Sequence, residues 1–226
     1  MVGIIKFFRD MDKLNQFVEG LFYCNTPEFY RLSESTGVSD LNESCVSAFR
    51  KSRGDDSCSL FIDGRELSSI ESMTLQRGDH KDSWMHCWFA LTVPDTDADL
   101  KELFDDINRI RIEFGCNYVF MESNNITEFV SRISTVTKTK LKYELVSYSK
   151  DSNDWNAICK SSKYSYQREY RFLVGECKHN DIQPIKLKYE QGFADLVYVN
   201  KKLELTENNN KQSLFYMDQH SCCLTS

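Results

Sequence analysis

The segment Lys163-Tyr-Ser-Tyr-Gln-Arg-Glu-Tyr-Arg-Phe-Leu-Val174 decides the reading of this chain. It is rich in aromatic residues and holds no Gly or Pro, which predicts a strand across its whole length. Strand side chains alternate, so Tyr164, Tyr166, Tyr170, Phe172 and Val174 share one face and Gln167, Glu169 and Arg171 the other. Arg168 interrupts the apolar face, its stem long enough to lie along the aromatics while its head reaches water. Gln167 and Glu169 then stand roughly 7 Å apart on one wall, within reach of a single small polar ligand. The plainer reading of the same row is a half-exposed strand whose polar face meets water.

The elements around this segment alternate in type. Residues 3–9 read as an apolar strand, and residues 10–18 as a helix spaced on Leu14, Phe17 and Val18 and stopped by Gly20. Residues 21–24 form a second strand, and Thr26 before Pro27 gives a helix start. Residues 33–53 read as a loop or lid with a short helix, acidic at Asp40 and Glu43 and basic at Arg50, Lys51 and Arg53. Residues 60–62 and 65–67 make a hairpin across Asp63-Gly64, which residues 70–75 extend. Residues 84–91 read as a buried strand, in which His86 is a core residue before it is a catalyst. Residues 97–107 are helical, and the acids Asp95, Asp97 and Asp99 suit a helix N-terminus better than a metal cluster. Residues 109–114 and 118–121 pair as a hairpin, 127–136 form a helix, and 141–148, 185–189 and 194–199 are further strands.

A chain of 226 residues with 41% hydrophobic and 13% aromatic content supports one α+β domain, taken here as 1–205. The segment 206–226 reads as a tail. Asn208-Asn-Asn210 is its hinge, and Leu214, Phe215, Tyr216 and Met217 are an apolar anchor, either docked on the domain or offered to a partner. Nine scattered cysteines without a CxxC pair read as reduced thiols and not as a disulfide framework or zinc site. No apolar run spans a membrane and no leader pattern opens the chain, which predicts a cytoplasmic protein with no membrane partner. A net charge of −6 disfavours permanent wrapping around nucleic acid and leaves room for a local basic groove. P-loop, dinucleotide-fold, zinc-protease and nucleophile-elbow motifs are all missing.

Ile5-Lys-Phe-Phe8, the Asp12-to-Gly20 helix, Leu21-Phe-Tyr-Cys-Asn-Thr-Pro-Glu-Phe-Tyr30, Glu113-Phe-Gly115 ahead of Glu128-Phe129, and Tyr166-Gln-Arg-Glu-Tyr-Arg-Phe172 together resemble a family of uncharacterised bacterial and phage proteins. The layout also resembles the ADP-ribosyltransferase superfamily, including DarT-like and CmdT-type anti-phage toxins. That resemblance implies a split antiparallel or mixed sheet flanked by helices, with NAD as substrate and no metal. It implies catalytic roles for Glu169 and Gln167 on the late strand. Superfamily members place an Arg or His in the first strand to grip NAD, where this chain offers Lys6 and Arg9.

On chemical grounds a carboxylate beside the ribose stabilises the oxocarbenium-like centre left by departing nicotinamide, a role for Glu169, while Gln167 orients the nucleophile. Arg9, Arg31 and Arg171 are candidates for the pyrophosphate, Tyr23, Tyr30, Tyr166 and Trp84 for the ring walls, and Asn25 for a ligand contact or a cap. The expected function is a toxin or phage-defence transferase acting on RNA or DNA, with the clusters at Arg50-Lys51-Arg53 and Lys138-Lys140-Lys142 near the polynucleotide and an antitoxin or chaperone as partner. The competing expectations are a non-enzymatic binding module on the same fold and an NAD glycohydrolase.

Overall fold

The computed structural model describes residues 1–56, 59–67, 69–207 and 212–225. Its elements run β1 (Gly3–Phe8), α1 (Met11–Val18), β2 (Leu21–Cys24), α2 (Pro27–Leu32), β3 (Ser47–Arg50), β4 (Leu60–Ile62), β5 (Arg65–Leu67) and β6 (Ser72–Leu75). There follow β7 (Asp82–Leu91), α3 (Asp97–Phe114), β8 (Asn117–Glu122), α4 (Ile126–Val136), β9 (Leu141–Leu145), β10 (Ser147–Ser149) and β11 (Cys159–Ser161). The chain continues through β12 (Glu169–Cys177), β13 (Ile185–Lys188), β14 (Tyr198–Val199), β15 (Leu203–Thr206), β16 (Ser213–Met217) and β17 (Cys222–Leu224).

The class is α+β. An antiparallel six-stranded sheet of order β14-β8-β1-β7-β12-β9 forms the spine, and small two- and three-stranded ribbons surround it. Alternation along its strands feeds two cores, one on each face. Ile4, Phe8, Trp88, Tyr170, Phe172 and Val174 pack against Phe17 of α1 and Phe129 and Ile133 of α4. Ile5, Phe7, Phe89 and Tyr118 pack against Leu103, Ile107 and Ile110 of α3 and against Phe215 and Met217.

β1 pairs with β7 only over Gly3–Ile5, while it stays paired with β8 along its full length. Beyond that point β7 takes a different neighbour, exchanging two backbone hydrogen bonds between Met85 and Asn25 at the end of β2. The sheet therefore forks between β1 and β7.

Several local readings hold. Thr26 accepts from Phe29 N at 3.2 Å as the cap of α2, with Pro27 opening the helix. Asp63 and Gly64 both have positive φ, 49° and 76°, as a primed hairpin turn requires.

Others are corrected. The expected hairpin over residues 109–121 is replaced by an α3 that continues to Phe114. Leu103, Ile107, Ile110 and Phe114 follow a helical spacing, Arg109 pairs with Glu113 one turn on, and Ile112, which had suggested strand alternation, is 86% exposed. The predicted strand over residues 163–174 begins only at Glu169, because Ser162–Gln167 coil into a 3-10 turn closed by Arg168 in the left-handed region at φ 41°. Tyr166 consequently packs on the α3 side of the sheet, away from Tyr170 and Phe172. The strand expected over 141–148 is divided at Val146 into β9 and β10, and that over 194–199 shrinks to β14.

The anchor residues of the tail dock on their own domain. β16 sits between β15 and β17, with Phe215 and Met217 nearly inaccessible, and Arg111 Nη1 donates to Asp218 O at 2.6 Å. The hinge at Asn208-Asn-Asn210 lies outside the described residues. Truncating Phe215 to Ala is expected to cost about 3–5 kcal/mol, the usual range for a buried Phe. Leu224→Ala, at an exposed position, is expected to stay within about 0.5 kcal/mol. Urea midpoints of the two variants check both.

Candidate functional site

The fork in the sheet opens a cavity of about 110 Å3. Part of its lining is apolar, from Ile5, Phe7, Phe89, Ile110 and Phe114, and part is polar or charged, from Lys6, Glu43, Lys160, Gln167, Glu169 and Arg171, with Phe89 the cross-strand partner of Glu169.

Glu169 opens β12, with Arg171 two residues on and facing the same way. Gln167 reaches this wall from the preceding 3-10 turn, since the left-handed Arg168 bends the chain between them and is held by Nε to Asp106 at 2.7 Å. Lys160, from β11, puts Nζ 2.7 Å from Glu169 Oε1 and 2.9 Å from Gln167 Oε1. The loop over residues 33–46 supplies the remaining acids, with Glu43 at 3.3 Å and Asp40 at 3.5 Å from the same Nζ. Arg171 donates through Nε to Glu169 Oε2 at 2.7 Å, meets both Glu43 oxygens at 2.8 and 3.0 Å, and caps Ala157 O at 2.7 Å.

The loop is tied to the site by the site's own residues. Gln167 Nε2 donates to Gly37 O at 2.8 Å and Tyr164 Oη to Ser39 O at 3.0 Å. Gly37 has φ +77°, and a Cβ there would collide with the Glu113 carboxylate, so a residue with a side chain is doubly disfavoured.

Burial pushes the Glu169 carboxyl upward, but Arg171 and Lys160 outweigh it and hold the group well below the usual carboxylate range. Glu43 moves the same way for the same reasons. Asp40 moves the other way, raised by burial and by Glu43 with only partial relief from Lys160. Burial lowers the Lys160 ammonium, yet Glu169 and Glu43 carry it well above the ordinary lysine value.

Of the residues singled out in the sequence, Lys6, Gln167, Glu169, Arg171 and Tyr30 line this cavity. Asn25 stands behind Tyr30, hydrogen-bonded to its phenol, with its own Oδ1 buried and unpartnered. Tyr166 stands behind Gln167, donating to Glu113 Oε2 at 2.8 Å under the Arg109 guanidinium. The others lie elsewhere. Arg9 caps the end of α3 through Glu113 O at 2.8 Å, and Trp84 donates to Gln183 O at 2.9 Å. Arg31 is consumed in a second buried network with Asp82 and Glu28, and Tyr23 faces solvent. His86 is a core residue, its Nδ1 2.7 Å from Tyr23 O and its ring 4.3 Å from Phe22, held neutral by burial and by Lys6.

Residue patterns assign no role to Lys160. A lysine in a short polar run carries no signal, and only the turn that follows brings it under Glu169. Arg50 and Arg53 are spent on Glu28 and Asp55, while Lys138, Lys140 and Lys142 stand exposed beside and along the edge strand β9. Among the described residues no cluster of His, Cys, Asp or Glu is arranged to hold a metal ion.

Comparison with known proteins finds no matching family model, no matching curated protein and no matching solved structure.

Because Glu169 and Glu43 are held below their unfolded values, their ion pairs add stability that is complete above about pH 4.5 and drains away as pH falls below it. Asp40 acts oppositely, its burial penalty being relieved on protonation. Glu169→Gln leaves two buried cations short of a counter-charge and is expected to cost about 3–5 kcal/mol at neutral pH. It is also expected to flatten the acid limb. Urea unfolding between about pH 3 and pH 7 measures both effects.

Proposed function

We propose that this protein cleaves the nicotinamide glycosidic bond of NAD and transfers ADP-ribose, with Glu169 as the charge-stabilising carboxylate and Gln167 orienting the acceptor. The observation that carries the reading is the convergence of Gln167 and Glu169 on one cavity at the fork of the main sheet, beside Phe7, Phe89 and Phe114.

The residues fit one end of that substrate. A cavity of about 110 Å3 is of the same order as an engineered one of about 150 Å3 that admits a benzene ring. Phe7, Phe89 and Phe114 give the apolar surface a nicotinamide ring needs, and Gln167 Nε2, once released from Gly37 O, offers a donor to its amide. The full dinucleotide is larger than the cavity, so this reading requires the loop over residues 33–46 to lift.

An oxocarbenium-like transition state is stabilised by negative charge, and Glu169 is ionised at neutral pH for the reason given above. Asp40, Glu43 and Glu169 surround Lys160 and Arg171, so the Glu169 carboxylate is fixed in place by two cations beside the cavity. In this reading the fold is a variant of the ADP-ribosyltransferase split sheet. The protein is then a cytoplasmic toxin or phage-defence effector, its exposed Lys138, Lys140 and Lys142 meeting an RNA or DNA acceptor and an antitoxin or chaperone holding it in check.

Purified protein incubated with labelled NAD and RNA, DNA or cell extract tests the reading. Label on a polymer is the expected result. Nicotinamide release alone identifies a glycohydrolase, and neither outcome leaves a binding module. Glu169→Asp keeps the charge but withdraws it by one methylene, and is expected to lose about 100-fold or more in turnover while still melting cooperatively.

A further inference from the structure

The main sheet ends differently on its two sides. β14 is an edge of two residues, too short to offer much pairing, whereas β9 presents Leu141–Leu145, all but Leu141 exposed. Val146 N donates to Glu169 O and Gly175 N to Lys140 O, both at 2.9 Å, which sets the phase of the ladder between β9 and β12. Antiparallel bonding alternates along a strand, so Lys142 and Glu144 turn their backbone groups toward β12 while Leu141, Tyr143 and Leu145 turn theirs outward. Among the described residues nothing hydrogen-bonds to those outward groups. The side chains of the same three residues lie on the α4 side of the sheet, where the Tyr143 ring stands 6.4 Å from Tyr170 and 6.1 Å from Phe172. Tyr143 is 43% exposed and Leu145 52%. Lys142 and Glu144 occupy the other face, exposed and without an ion pair among the described residues.

We propose that β9 pairs antiparallel with β9 of a second copy of this chain, about a two-fold axis at Tyr143, joining the main sheets of the two copies edge to edge. The sequence of the strand is complementary to itself in that register. Tyr143 faces its own counterpart, Leu141 faces Leu145 of the second copy, and Lys142 faces Glu144 on both sides of the axis. All the outward backbone groups of Leu141, Tyr143 and Leu145 find partners, and the opposite charges meet at the non-hydrogen-bonded positions, where facing side chains are closest. Sliding one strand by two residues keeps the backbone groups matched but sets Lys142 against Lys142, or Glu144 against Glu144, on the axis and parts Leu141 from Leu145. The charge pattern thus selects both the register and the partner, since a two-fold interface requires one patch to fit itself. The inference is independent of NAD chemistry, and Lys138 and Lys140 lie outside the paired segment.

Sedimentation equilibrium of the full-length protein is expected to show a reversible monomer–dimer equilibrium. Lys142→Glu and Glu144→Lys each bring like charges face to face, and each is expected to weaken self-association about tenfold or more. An equimolar mixture of the two single variants is expected to dimerise again, because every facing pair between them is then opposite in charge. The double variant, which exchanges the two residues, is expected to regain the wild-type dimer. Both positions are exposed, so each variant is expected to melt as the wild type does, which separates a lost interface from a lost fold. A wild-type protein that is still monomeric at about 1 mM, the result if this edge takes another protein's strand or only water, overturns the proposal. So does a dimer that both single substitutions leave unchanged, or a pair of single variants that stay apart when mixed.

Discussion

The carboxylate of Glu169 is shared between Arg171 and Lys160, and the other contacts of the site are arranged around that sharing. Charges removed from water cost several kcal/mol each unless their partners are near ideal, so the network survives only because Glu43, Gln167 and Ala157 O satisfy what Glu169 leaves over. These partners come from distant parts of the chain. Glu43 belongs to the loop after α2, Lys160 to β11, and Arg171 to β12, so the ion network closes the tertiary structure around a polar centre and each element fixes the others.

The second constraint is the fork. A continuous ladder between β1 and β7 would fill the space that the cavity occupies, and the exchange of partners at Met85 is what keeps it open. Asn25 serves both sides of this arrangement, its backbone taking over the free edge of β7 and its side chain steadying Tyr30 at the cavity. The buried Arg31 with Asp82 and Glu28 performs the comparable task one layer out, tying α2 to the start of β7. Two buried charged clusters thus tie the segments after β2 to the main sheet, one at the start of β7 and one at β12.

Much of the architecture was legible in residue patterns. The polarity of Glu169 and Arg171 against Tyr170, Phe172 and Val174 follows directly from strand alternation, and the caps at Thr26 and the turn at Asp63-Gly64 follow from local chemistry. What was hidden had a physical cause in each case. Arg168 adopts a backbone conformation that glycine would have advertised, so the turn before Glu169 looked like more strand. In α3, Ile110 and Ile112 mimic alternation while the helical spacing of Leu103, Ile107 and Ile110 prevails through packing. Lys160 and the acids of the loop become a site only through contacts between residues far apart in sequence, which no local pattern encodes.

The apolar lining of the cavity has an implication for the order in which the protein can be completed. Ile5, Phe7, Phe89 and Ile110 belong to the same packed cluster as Phe215 and Met217. The charged lining is already present in the chain once Arg171 has been made, but the apolar lining lacks its backing until β16 follows. During synthesis, then, a chain halted short of β16 carries all the ionic groups of the pocket with its apolar part unsupported. The apolar lining gains its full backing only as the three-stranded ribbon packs over α3, which makes the pocket one of the last parts of the fold that synthesis can complete.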